Sequence, residues 1–176
     1  SITNKLHGTS GISANILCKK QLKLYEKILK KLKVNIIDTE YDNIYASRRV
    51  VKNDDINPLV KHYYEYDIWK IADSVVKPLL TPGLTAYYEI VGYLPNGKYI
   101  QEDYDYGCIS PVEVYEKDFI VKDLSGDLYN ILYKKSKCFK VFVYRLTYTT
   151  PQGSVIEFSP RYVQTWCKEN NVDAVP

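Results

Sequence analysis

The stretch whose residues most invite chemistry is "NKLHGTSG", Asn4 through Gly11. Lys5 is followed closely by Gly8, Thr9, Ser10 and Gly11, a run of small and hydroxyl residues. A lysine amine is a poor nucleophile while protonated, and its reference pKa is about 10.4. Burial and neighbouring positive charge lower that value and supply the neutral amine. Gly8 lets the backbone turn tightly and approach a ligand closely, while Thr9 and Ser10 add hydroxyl donors. Such a loop suits a lysine that touches or attacks a phosphate. The spacing Lys-x-x-Gly alone describes a lysine beside a turn equally well, because so short a pattern recurs by chance. Ser10 has its own bland role, capping the loop backbone. Glu89 is a second candidate. It sits in the apolar stretch "YYEIVG", where an unpaired carboxylate is costly.

These groups need a scaffold. Residues 11–18 read as a short strand leaving the glycine loop. In "KKQLKLYEKILKKLKV", Leu22, Tyr25, Ile28, Leu29 and Leu32 recur at helical spacing with lysines on the other face. "NIIDTEYDNIYASRRVVKN" looks extended. "HYYEYDIWKIADSVVKPLL" reads as a second amphipathic helix with Trp69, Ala72, Val75 and Val76 inward, ended by Pro78 and by Pro82-Gly83. Strand patterns follow: "LTAYYEIVGYL", an Asn96-Gly97 turn, then "FKVFVYRLTY" turning through "TPQGS" into "VIEFS". Ser159 as N-cap and Pro160 at the first helical position open a last helix. Eighteen tyrosines, many in the strand patterns, suit half-buried sheet surfaces. Strands and helices mix without βαβ alternation, so the expected class is α+β. Residues 109–138 are the least legible, an inserted loop or hairpin.

"KLHGTS" resembles the nucleotidyl-lysine motif of covalent nucleotidyltransferases, the superfamily of ATP-dependent ligases and RNA capping enzymes; its His-Gly-Thr form looks most like RNA ligases of the phage and bacterial type. Further resemblances follow in order. "ASRRV" (Ala46–Val50) is similar to the second motif, and "YYEIVGY" (Tyr87–Tyr93) to the motif with an essential glutamate. "GKYIQEDYDYGC" is also familiar from RNA ligases, and "VFVYRLTY" (Val141–Tyr148) resembles the strand whose aromatic stacks on the base.

The resemblance implies an α+β nucleotidyltransferase fold, ATP-grasp-like, with antiparallel sheets flanked by helices. It implies that Lys5 attacks the α-phosphate of ATP and that Asn4 and Leu6 border the nucleotide, Asn4 against the adenine edge. Arg48 would approach ribose or phosphate, Glu89 would hold ribose hydroxyls or help position metal, and Tyr144 would stack on the purine. ATP and Mg²⁺ are the implied cofactors, and RNA 5′-phosphate and 3′-hydroxyl ends the implied partners. A DNA ligase or GTP-using capping enzyme shares this chemistry, and a non-catalytic nucleotide or nucleic-acid binding module is the rival from another class. Relatives also use a later Glu-Gly motif and a Lys-x-Lys, and neither follows "NVDAVP". Residues 1–176 are therefore expected to be a partial adenylylation domain, weak or inactive alone.

Composition sets the outer bounds. The 176 residues are about one domain, with 45% hydrophobic and 26% charged residues. No apolar run approaches the roughly 20 residues that cross a bilayer, so a soluble, cytoplasmic protein without a membrane partner is expected. Cys18, Cys108, Cys138 and Cys167 form no Cys-x-x-Cys pair, and His7 and His62 lack zinc-ligand spacing. Free thiols and no protein-built metal centre are the expectation. The net charge of +3 hides an asymmetry, because residues 1–35 hold eight lysines against Glu26 alone. Such a basic start either attracts polyanions or is a solvated helix face.

Overall fold

A computed structural model of the chain describes residues 5–53, 56, 64, 66–111 and 137–176. The expected base-edge residue Asn4 and most of the stretch 109–138 lie outside them. In chain order the elements are β1 (Thr9–Lys19), α1 (Leu24–Lys31), β2 (Thr39–Ser47) and α2 (Ile68–Val76), followed by a 3₁₀ turn at Lys77–Leu79. β3 (Leu84–Gly92), β4 (Phe139–Thr149), β5 (Val155–Glu157), α3 (Pro160–Glu169) and β6 (Asp173–Ala174) complete them. Helices and a largely antiparallel sheet are mixed, which agrees with the α+β expectation. The described strands form one six-stranded sheet rather than several.

The sheet order is β2-β1-β3-β4-β5, and β6 adds to β4 as a parallel neighbour. β1 is the hinge of the topology, pairing with β2 from Gly11 to Lys19 and with β3 from Thr9 to Ala14. Two glycines make the second pairing possible. A Cβ on Gly8 would collide with the Ile90 carbonyl, and one on Gly11 with the Tyr88 ring. Gly8 is thus demanded by close approach of β1 to β3, not by the tight turn that its neighbours suggest in sequence.

Period-two alternation gives the sheet two unlike faces. Ala86, Tyr88 and Ile90 of β3 point into the core with Tyr45 of β2, against Ile68, Trp69, Ala72 and Val76 of α2. Each large apolar side chain so buried contributes about 1.5–3 kcal/mol. Asp67 caps α2 by accepting from the Lys70 amide at 3.1 Å. Inside the helix Ile71 takes an inward position, and Val75, expected inward, is turned outward. α3 packs on β4 through Val163 and Trp166. Its cap is as the sequence indicates, Ser159 Oγ accepting from the Tyr162 amide at 3.3 Å.

α1 departs furthest from expectation. The periodicity does give a helix, held by Lys20–Glu26 and Lys30–Asp38 ion pairs of 3.0 and 2.6 Å. Yet Tyr25, Ile28 and Leu32 remain 58%, 52% and 69% exposed. An amphipathic pattern specifies a helix face, and burial requires a partner for that face. None of the four cysteines is joined in a disulfide. Among the described residues no helix is long and apolar enough to cross a membrane.

Candidate active site

Five segments distant in sequence meet at one cavity of about 490 Å³. Its lining comprises Lys5, Leu6, Gly8, Ser10, Arg48, Glu89, Tyr144 and Val175. Every candidate site residue named from the sequence is therefore at this cavity, except Asn4, which lies outside the described residues.

The topology explains the convergence. Lys5 and Leu6 lead directly into β1, so they sit at the end of the β1–β3 ladder. Ser10 lies opposite Glu89 in that ladder, and Ser10 Oγ donates to Glu89 Oε2 at 3.0 Å. Arg48 follows the last residue of β2, whose Ser47 pairs with Gly11 at the same end of β1. Tyr144 comes from β4 and owes its position to an irregularity. Tyr88 opposes Val143 and Tyr87 opposes Arg145, which leaves Tyr144 as an extra residue on β4. Such a bulge re-aims a side chain and disrupts the ladder locally. Arg145, next to it, lays its guanidinium over the Tyr87 ring at 4.8 Å and pairs with Glu157 at 2.9 Å.

The cavity is electrostatically mixed. Burial pushes the Glu89 carboxyl above its ordinary value; the Ser10 hydrogen bond and the charges of Arg48, His7 and Lys5 pull the other way. Burial also raises the Tyr144 phenol, helped by the Glu89 charge and opposed by the Ser10 hydroxyl. One half-buried carboxylate therefore faces two exposed cations and an aromatic face 45% open to solvent. Cationic groups can hold phosphate oxygens, a carboxylate can accept sugar hydroxyls, and a tyrosine ring can stack on a base.

Three lining residues carried no nucleotide-contact role in the motif resemblance, and one of them, Val175, was not singled out at all. Gly8 and Ser10 stand in the same motif as Lys5, and the Ser10 hydroxyl donates to Glu89. Val175 follows β6, and its amide donates to the Val143 carbonyl at 3.0 Å. A two-residue parallel strand leaves no periodic trace in sequence, so nothing local pointed to it.

Compared with protein-family models and with curated proteins, the chain matches none.

Proposed function

We propose that the chain carries the nucleotide-binding and nucleophile portion of an ATP-dependent RNA ligase. The observation that supports this reading most is the convergence of Lys5, Arg48, Glu89 and Tyr144 on one cavity. The motif resemblance assigns those four residues to one nucleotide, and they come from a loop, the end of one strand and two other strands. The cavity is also within the roughly 300–1,000 Å³ typical of small-molecule sites.

In this reading Lys5 Nζ, as the neutral amine, attacks the α-phosphorus of ATP. A nitrogen–phosphorus bond forms, the bond to the bridging oxygen breaks, pyrophosphate leaves, and the amine gives its proton to water. Arg48 offsets phosphate charge, Glu89 accepts the ribose hydroxyls, and Tyr144 lies under the purine. An RNA 5′-phosphate oxygen then attacks the same phosphorus, breaking the nitrogen–phosphorus bond and returning the lysine. Attack of an RNA 3′-hydroxyl on the activated 5′-phosphate finally joins the ends and expels AMP. Positioning and charge stabilisation supply most of the catalysis in such phosphoryl transfers.

Magnesium is commonly held by one or two carboxylates together with substrate phosphates and waters. Among the described residues Glu89 is the one carboxylate lining the cavity, and no cluster of three His, Cys, Asp or Glu side chains forms. That donor set fits a metal ion that arrives with the triphosphate, Glu89 being the side chain available to hold it. When bound, the ion supplies charge neutralisation on the phosphate oxygens.

Incubation of the full-length protein that carries these residues with α-labelled ATP and Mg²⁺ should give a label that survives denaturation and is lost in Lys5→Ala, while residues 1–176 alone should label weakly or not at all. Reversible ATP binding without a covalent label, retained in Lys5→Ala, would favour a non-catalytic binding module instead. Competition with GTP and joining assays on RNA and DNA nicks separate the RNA ligase from a capping enzyme or DNA ligase.

A further inference from the structure

Resting on that reading, we propose that Tyr106 is a positioning residue for Lys5, acting through the backbone of His7. The His7 amide donates to Tyr106 Oη at 2.6 Å across 99 positions of sequence. The His7 ring stacks on Tyr104 at 4.4 Å between centroids and 14° between planes. Tyr104 is in turn 5.9 Å from Tyr106, and Tyr106 is 6.3 Å from Phe142 of β4. The loop bearing Lys5 is thereby tied to a central strand two residues beyond the lysine. β-ladder pairing of β1 begins only at Thr9, so this tie acts where the sheet does not reach.

The segment that makes the tie is itself braced. Asp103, Tyr106 and Gly107 adopt left-handed backbone conformations, with φ of 67°, 52° and 69°. For the two non-glycine residues that conformation is sterically disfavoured. Offsetting contacts hold it: Gly107 N–H donates to Asp105 Oδ1 at 2.8 Å, Cys108 N–H to the Asp105 carbonyl at 2.9 Å, and Lys140 Nζ to the Tyr106 carbonyl at 2.8 Å. A strained segment held this firmly against a reactive loop is the arrangement expected where geometry matters to chemistry. The alternative use of these rings, as a stacking platform for RNA, is disfavoured by charge. Glu102, Asp103 and Asp105 are all exposed around Tyr104 and would repel a phosphate backbone.

Tyr106→Phe in the full chain keeps the ring and removes only the acceptor of the His7 amide. A misplacement of about 1 Å at a reacting group can cost about 100-fold. Labelling at saturating ATP is therefore expected to slow by about 10- to 100-fold, with half-saturating ATP within about two-fold and an unchanged melting temperature. Tyr104→Phe keeps the stack and should label at the wild-type rate. Amide exchange at His7 should accelerate about ten-fold in Tyr106→Phe, as expected for a freed amide. Unchanged exchange, or faster exchange with wild-type labelling, would overturn the positioning role while leaving the ligase reading intact. Absence of label in the full-length wild-type protein would overturn both.

Discussion

Tyr88 and Glu89 are neighbours on β3, and each meets a serine of β1, yet their environments have little else in common. Tyr88 faces the core. Ser13 Oγ donates to Asp73 Oδ1 at 2.6 Å, and with that proton committed Tyr88 Oη donates to Ser13 Oγ at 2.9 Å. Asn43 Nδ2 closes the network on Asp73 Oδ2 at 2.8 Å. Three strands and α2 are thereby joined by one buried polar chain, and burial pushes the Tyr88 phenol far above its usual range, keeping it a donor. Glu89 points the other way, with Ser10 as its bonded partner and an open cavity holding Lys5 and Arg48 beyond it. The same pairing of serine with a polar side chain thus makes a structural clasp on one face and an unfinished acceptor on the other. The difference lies in whether the remaining hydrogen-bonding capacity is used up by protein.

The comparison breaks first at Asp73. Removing its carboxylate in Asp73→Ala takes the shared acceptor from the buried Ser13 hydroxyl and the part-buried Asn43 amide, and hydrogen bonds to charged groups are worth about 1.5–3 kcal/mol each. A loss of about 3 kcal/mol is expected, read as a drop of about 10 °C in melting temperature. ATP labelling per folded molecule should stay at the wild-type level. A large loss of labelling without loss of stability would mean that the core network is part of the site.

Glu89→Gln tests the opposite face. Glutamine still accepts from Ser10 but offers no charge to sugar or metal. Labelling should fall by about 100-fold, equivalent to about 2.7 kcal/mol of barrier, with melting temperature unchanged or slightly raised. Equal labelling by Glu89→Gln and wild type would leave Glu89 as a strand residue with a tolerated charge. Tyr88→Phe is the weaker counterpart in the core. It removes one donor while leaving Ser13 bonded to Asp73, so a cost of about 1 kcal/mol in denaturant unfolding is expected.

How much of this was legible in sequence depended on how local each signal was. β3 was readable from the β-branched and aromatic residues of "LTAYYEIVG", and β4 because alternation in "FKVFVYRLTY" reports a two-faced sheet directly. Glu89 stood out because a carboxylate interrupted an apolar strand, and the ordered motifs pointed to Lys5, Arg48 and Tyr144 together. What escaped was set by pairing between distant segments. The bulge that singles out Tyr144 exists only in the register of β4 against β3, and Val175 reaches the cavity through a strand of two residues. The Tyr106 tie to His7 joins segments that share no pattern. α1 shows the reverse case, a strong local pattern whose apolar side meets solvent.

The finest distinction between the two faces is one of protonation. Burial raises the Glu89 carboxyl above its ordinary value of 4.5 despite Ser10 and the charges of Arg48, His7 and Lys5. The folded chain therefore holds this proton more tightly than the unfolded chain. Its stabilising contribution is complete below the unfolded value and is lost as pH rises through the raised folded one. Thermal melts across that window should show wild type declining relative to Glu89→Gln, while a difference between Tyr88→Phe and wild type stays flat, because the Tyr88 phenol does not ionise there. Over the same window labelling should rise, since the ionised carboxylate is the form that accepts ribose hydroxyls. Opposite slopes for stability and labelling, carried by one residue, would mark Glu89 as a group whose charge the fold tolerates and the ligand uses. A decline that persists in Glu89→Gln would assign the titration to another group and remove that argument.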